Sequence, residues 1–266
     1  MKSKSTILKK LAFAFLPILI ILLFVSSTIL LKDKKGVGTK APKKAETLFD
    51  GSREILDEKW TYWEGPRFAA ELPVKWEIIK DPVNKVTAVD SNDPSAFGGK
   101  YGTADLVSKK KFTDFRLHVE FLVKEAKGNS GVYLQNRYEI QILDGDDTKH
   151  GMAAIINEKE SPYEVYNGIG KWNAYDVKFR AARFENGKLT EKPLVTVYFN
   201  GVKVHSNVKI SKVWGGENSG LDGGNDEGRG ITDTPGGIKL QGEGHPVIYR
   251  NIWIQELDLV EADTEF

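Results

Sequence analysis

The stretch Asn129-Ser130-Gly131-Val132-Tyr133-Leu134-Gln135-Asn136-Arg137-Tyr138-Glu139-Ile140-Gln141-Ile142-Leu143-Asp144 decides how this chain is read. It reads as two short strands joined by a tight polar turn near Asn136-Arg137, and the second strand alternates apolar and polar residues. Successive strand side chains point to opposite faces, so Tyr138, Ile140 and Ile142 share one side while Glu139 and Gln141 share the other. A Glu and a Gln turned outward together form the base of a polar ligand site. Asp144 joins their face only if a bulge near Leu143 adds one residue. The turn decides what the first strand contributes. An odd number of turn residues places Tyr133 and Gln135 beside Glu139, whereas a two-residue turn places Val132 and Leu134 there.

Strand signals continue on both sides of this hairpin. Phe112 to Val123 carries Phe115, Leu117, Val119, Phe121 and Val123 on one face and Arg116, His118 and Glu120 on the other, which reads as a solvated outer face. Further strands fit Tyr175 to Phe184, Leu194 to Phe199, Val202 to Val208 and Val247 to Leu257. Asn200-Gly201 between two apolar runs is a two-residue hairpin signal, because both central residues of such a turn need positive φ. Short apolar runs separated by turn clusters suggest a β-sandwich or barrel. Trp60, Trp63 and Trp76 fall close together; in a β protein such residues are more often core than sugar platforms. Gly215 to Gly237, with Asp222, Asp226, Glu227 and Asp233, is too long for a mere connector and is expected to be functional or mobile.

The 266 residues suit one large all-β domain. A net charge of +1 sets up no field that would draw nucleic acid. The absence of cysteine excludes disulfides, thiol catalysis and thiolate metal sites. Residues Leu11 to Leu31 form a nearly unbroken apolar run behind Lys2, Lys4, Lys9 and Lys10. Such a run is long enough to cross a membrane, and the preceding charges hold its start in the cytoplasm. It is therefore expected to be a signal anchor or signal peptide over residues 1–31, sending the rest to the periplasm or cell surface. Residues 32–45, with Lys32, Lys34 and Lys35, read as a flexible, solvated tether. The folded domain is expected over 46–258, with a tail over 259–266.

Other chemistries are weaker in the sequence. Asp144, Asp146 and Asp147 followed by His150 offer hard oxygen ligands for calcium, but without the spacing of an EF-hand loop. Neither a metal nor any other cofactor is expected. His118, His150, His205 and His245 are too scattered for a zinc site, and no nucleophile elbow or phosphate-cradling loop is present.

Several blocks together resemble the 3-keto-disaccharide hydrolase domain family. They are Leu48-Phe49-Asp50-Gly51, the opening hairpin, Trp172 to Phe184, Val195 to Val202, and Gly236 through Ile254, which holds Gln241, His245 and Arg250. The resemblance implies a concanavalin A-like jelly-roll sandwich over about residues 46 to 258. There are departures: Gln135 stands where relatives often have Arg, Ile156 where they have Tyr, and Glu243 where they have His.

The resemblance also implies cleavage of a glycoside whose C3 hydroxyl has been oxidised to a ketone. The ketone acidifies the C2 proton, so a base can form an enolate that expels the C1 oxygen, with water adding afterwards. On this reading Glu139 is the base and Asp144 the acid. Tyr133, Gln135, Gln141, Gln241, His245 and Arg250 hold the sugar or its oxyanion. Arg250 is expected to point away from the core and to share one hollow with Glu139. The alternative is a non-catalytic carbohydrate-binding module using the same face.

Overall fold

Alternation of apolar and polar side chains carries through into two facing sheets. The computed structural model describes residues 35–64, 72–92, 104–214, 230–242, 244–245 and 247–266. The apolar run Leu11 to Leu31 lies outside these residues, as do Asp222, Asp226, Glu227 and Glu243. Among the described residues no helix is long and apolar enough to cross a membrane.

In chain order the first eight strands are β1 (Glu46–Phe49), β2 (Trp60–Tyr62), β3 (Ile78–Lys80), β4 (Thr87–Asp90), β5 (Leu106–Ser108), β6 (Phe115–Val123), β7 (Asn129–Leu134) and β8 (Tyr138–Leu143). They are followed by β9 (Trp172–Arg180), β10 (Arg183–Glu185), β11 (Lys188–Glu191), β12 (Leu194–Phe199), β13 (Val202–Lys209), β14 (Lys239–Leu240) and β15 (Val247–Glu256). Eight strands form the larger sheet in the order β13-β12-β9-β6-β15-β4-β3, with β1 also paired to β15. Five form the smaller sheet in the order β2-β5-β14-β7-β8.

The sheets pack through one core. Phe115, Leu117, Val119 and Phe121 of β6, with Phe179 and Tyr249, meet Val132, Leu134, Ile140, Ile142 and Leu240 of the smaller sheet. The rings of Tyr138 and Phe179 join the two sheets at 5.6 Å between centroids. Each fully buried large apolar side chain stabilises the fold by about 1.5–3 kcal/mol, so this shared layer sets the pairing of the sheets. Trp60 and Trp76 lie in it; Trp63 does not.

The hairpins follow their turn residues. Asn200 and Gly201 have φ of +50° and +86°, as a two-residue connection between β12 and β13 requires. Between β7 and β8 the connection is Gln135-Asn136-Arg137, with Leu134 opposite Tyr138. Its odd length brings Tyr133 opposite Glu139, but Gln135 has left the strand and sits at φ +50° in the turn. The strand expected over Tyr175 to Phe184 is divided, because the chain breaks at Ala181-Ala182, where Asp114 accepts from the Ala181 amide at 2.7 Å. Two helices, α1 (Arg53–Lys59) and α2 (Leu259–Asp263), are too short to show periodicity in the sequence and are set by their caps, Ser52 and Asp258.

The outer face of the larger sheet differs from expectation. His118 and Glu120, read as solvated, are 0% and 1% exposed. The reason is the segment read as a tether: its residues Gly36 to Thr39 cross that face as a strap. The Gly36 amide donates to Asp176 Oδ2 at 2.6 Å and the Gly38 amide to Glu120 Oε1 at 2.7 Å. Asn251 Nδ2 donates to the Thr39 carbonyl at 2.9 Å.

Candidate functional site

The outer face of the smaller sheet collects the polar residues that alternate with its core. Register sets the arrangement. Lys239, Tyr133 and Glu139 lie side by side on β14, β7 and β8, and Gln141 lies opposite Gly131 in the neighbouring row. Gln241 follows β14, donating its amide N–H to the Gly131 carbonyl at 3.0 Å.

Glu139 is half-buried and rests over a gap in this face. The gap is Gly131: a Cβ there would stand 2.2 Å from Glu139 Oε1 and 3.0 Å from the edge of the Tyr133 ring. Carboxylate and phenol ring thus meet above the backbone of β7. Tyr133 accepts a long 3.4 Å hydrogen bond on its hydroxyl from Gln241 Nε2, and Gln141 turns its Oε1 back to the Ile142 amide at 2.9 Å.

On one side of Glu139 lies a caged cation. Lys239 Nζ is 3.8 Å from the centroid of Tyr133 and 4.0 Å from that of Trp63, and 3.2 Å from Asp105 Oδ2. Asp105 is itself fixed by the Gly242 amide at 2.9 Å. Lys239 is only 2% exposed. An ammonium so deeply placed needs a counter-charge, and Asp105 and the two ring faces supply one. On the other side a narrow cleft is lined by Glu139, Arg137, Ile156, Glu158, Lys212 and Trp214. Glu158 Oε1 accepts from the Ser211 amide at 2.7 Å and from Trp214 Nε1 at 2.9 Å, which fixes the indole at the rim.

Of the residues the sequence singled out, Glu139, Tyr133, Gln141 and Gln241 come together here. The others do not join them. The β7–β8 register runs without a bulge, so Asp144 falls on the opposite parity from Glu139; it accepts from the Lys127 amide at 3.1 Å and the Tyr163 hydroxyl at 3.2 Å. Gln135 is wholly buried and donates to the Phe112 and Thr113 carbonyls at 3.1 and 3.3 Å, tying the turn to the segment before β6. His245 is exposed in the link between β14 and β15.

Arg250 lies on the outer face of the larger sheet, with the core between it and Glu139, so the expected common hollow does not form. Its Nε is 2.7 Å from Glu120 Oε2, and its guanidinium lies 3.8 Å over the Trp172 ring. Asp146 Oδ1 is taken up by the amide and hydroxyl of Thr148, each at 2.7 Å. Among the described residues no three His, Asp or Glu side chains are grouped to hold a metal.

Lys239, Asp105, Trp63 and Trp214 were not singled out as site residues in the sequence. Lys239 had a usable signal, since Ile238-Lys239-Leu240-Gln241 alternates and places it on the face of Gln241. Asp105 and Trp214 had none.

An all-β sandwich with amides, a phenol, a carboxylate and an indole on one sheet face has the composition of a site for a polyol ring. The chain belongs to the 3-keto-alpha-glucoside-1,2-lyase-like domain family, whose profile matches residues 44–255. Among solved structures it is similar to a provisionally assigned glycosyl hydrolase from Parabacteroides distasonis ATCC 8503, at 28% identity and a TM-score of 0.61, over 82% of this chain and 85% of that one. A second provisionally assigned glycosyl hydrolase from the same organism matches at 18% identity and a TM-score of 0.50, over 81% of this chain and 100% of that one, and shows the fold alone. No curated protein matches the chain.

Proposed function

We propose that this protein cleaves glycosides whose C3 hydroxyl has been oxidised to a ketone, 3-keto-disaccharides among them, at the outer face of the smaller sheet. The observation that carries the proposal is the Glu139 carboxylate held over Gly131, with Tyr133 between it and the Lys239 ammonium. Glu139 takes the proton from C2, and the electron pair moves to the C3 oxygen as the enolate. Its return breaks the C1–O bond as the leaving oxygen takes a proton from solvent; water then adds its hydroxyl to C1 and gives its other proton to solvent, while Glu139 returns its proton to C2. The Lys239 ammonium, neutralised by Asp105, anchors the Tyr133 and Trp63 rings at this face, and the Tyr133 hydroxyl with the amides of Gln141 and Gln241 supplies donors for the enolate oxygen and orients the ring. No proton transfer is assigned to Asp144. The lysine-led apolar run at the start of the chain supports action outside the cytoplasm.

Incubating the protein with 3-keto-trehalose or a 3-keto-glucoside tests this. Released sugar is expected, and Glu139→Gln should lower turnover by about 10²–10⁴-fold, the range for removing a general base. Binding without turnover in the unaltered protein favours the carbohydrate-binding module instead. Unchanged turnover in Glu139→Gln removes Glu139 from the mechanism.

A further inference from the structure

A hollow on the larger sheet, with the core between it and Glu139, has no part in the steps just described. It follows from the pairing of β15. One edge of β15 runs along β6; on the other edge β4 pairs at Ile248 and Tyr249, and β1 pairs from Ile252 to Ile254. Arg250 and Asn251 fall in the gap between β4 and β1. Here β15 advances from Arg250 to Trp253 while β6 advances only from Glu120 to His118, so β15 carries an extra residue, and Asn251 takes φ +45°. The gap opens as a hollow of about 410 Å³, a size that small-molecule sites have. Phe49, Ile252 and Trp253 give it an apolar base, and Arg250, Asn84 and Asp50 place polar groups along it.

Arg250 is held rigidly. Its Nε donates to Glu120 Oε2 at 2.7 Å, its Nη1 donates to Asn84 Oδ1 at 3.1 Å, and its guanidinium lies 3.8 Å over the Trp172 ring. The side chain is 11% exposed, and among the described residues nothing accepts from Nη2. Asn84 spends its Oδ1 on Arg250 and the Val86 amide, and among the described residues nothing accepts from its Nδ2. Hydrogen bonds from Ser52 hold the Asp50 carboxyl below its ordinary value, so it remains an acceptor.

We propose that this hollow binds one ring of a neutral saccharide, as a second carbohydrate site on the sheet opposite Glu139. The lining selects that chemistry. An anion meets Asp50 and Glu120, and a cation meets Arg250, whereas hydroxyl groups accept from Arg250 and Asn84 and donate to Asp50. The apolar base suits the C–H face of a sugar ring, and a guanidinium already fixed on two nitrogens loses little freedom when it binds. A glycan held here leaves the face of Glu139 open. The inference stands apart from the proposed reaction, since none of these residues takes part in it.

The experiment titrates glucose, trehalose, maltose and cellobiose into the unaltered protein and into Asn84→Ala, Asp50→Ala and Gln141→Ala, following backbone amide shifts by NMR. Asn84 and Asp50 are exposed, so their loss leaves the core intact, and the spectra report the fold directly. At least one of these sugars is expected to bind with a Kd on the order of millimolar and to shift the amides of Val86, Arg250 and Asn251. Asn84→Ala and Asp50→Ala should each weaken that binding about five- to tenfold, the scale of one hydrogen bond, and Gln141→Ala should leave it unchanged. Binding of none of the four sugars overturns the second site, as do shifts confined to the face of Glu139 and lost in Gln141→Ala. Either result leaves the proposed reaction standing. Binding at Asn84 by a protein that does not turn over a 3-keto-glucoside upholds this site and removes the proposed function.

Discussion

Gly131 makes room for Glu139: a methyl group on residue 131 would stand 2.2 Å from Glu139 Oε1. The nearer obstacle is the tip of a flexible side chain, the Tyr133 ring edge at 3.0 Å need give by only a few tenths of an ångström, and the backbone at Gly131 lies outside the left-handed region. Gly131→Ala should therefore fold, with a melting temperature within a few degrees of the unaltered protein. Its carboxylate at 139 should swing off the face, and kcat/KM should fall by about 100-fold, the scale of an ångström-sized displacement of a reacting group. Thermal melts alongside turnover check this. Full activity in Gly131→Ala would show that the resting position of Glu139 is not the working one.

Much of this face was legible in the sequence, because it depends on alternation. Tyr138, Ile140 and Ile142 had to face inward, so Glu139 and Gln141 had to face outward, and the core confirms it. What the alternation cannot convey is which outward faces are covered. His118 and Glu120 alternate as solvated residues do, and are buried only because Gly36 to Thr39, far away in sequence, lie across them. Arg250 illustrates a related limit. Its direction away from the core was readable, but a sandwich has two outer faces, and only the pairing of β15 with β6 shows that it belongs to the one opposite Glu139. Asp144 turned on whether a bulge existed, and the residues around Leu143 carry no signal for one.

Lys239 and Asp105 should prove separable in stability and activity. Lys239→Met leaves Asp105 as a buried carboxylate without its ammonium, which should cost about 3 kcal/mol. Adding Asp105→Asn should recover at least half of that loss in chemical denaturation. Turnover should not return with it, remaining at least about tenfold down, because the Tyr133 and Trp63 rings beside Glu139 have lost the ammonium that holds them. Recovery of both together would make the lysine a packing residue.

The strap makes a prediction about where the domain begins. A chain starting at Lys35 keeps the amides that bond Asp176 and Glu120, and one starting at Lys40 loses both, together with the Thr39 carbonyl that accepts from Asn251. Each lost partner of a buried carboxylate is worth about 1–3 kcal/mol. The shorter chain should therefore melt at least about 4 °C lower than the longer one, taking about 2–4 °C per kcal/mol for a domain of this size. Equal melting temperatures would mean the strap is a passenger.

The cluster under the strap should also give stability a pH dependence with two limbs. For Glu120, burial alone would raise the carboxyl, but His118, Asn251, the Gly38 amide and Arg250 favour its charge and hold it at about 2, against an ordinary 4.5. Its stabilisation is present above pH 4.5 and is lost as pH falls toward 2. For His118, burial lowers the imidazole, while Asp176 at 2.7 Å and Glu120 at 3.4 Å outweigh it and raise it above 6.5. That contribution is complete below pH 6.5 and declines as pH rises through the folded value. The cluster thus contributes most between pH 4.5 and 6.5. Glu120→Gln should flatten the acid limb of a plot of melting temperature against pH, and should also weaken the alkaline one by removing a partner of His118. His118→Asn should flatten the alkaline limb, and a rise in stability above pH 6.5 in the unaltered protein would refute the assigned charge on His118.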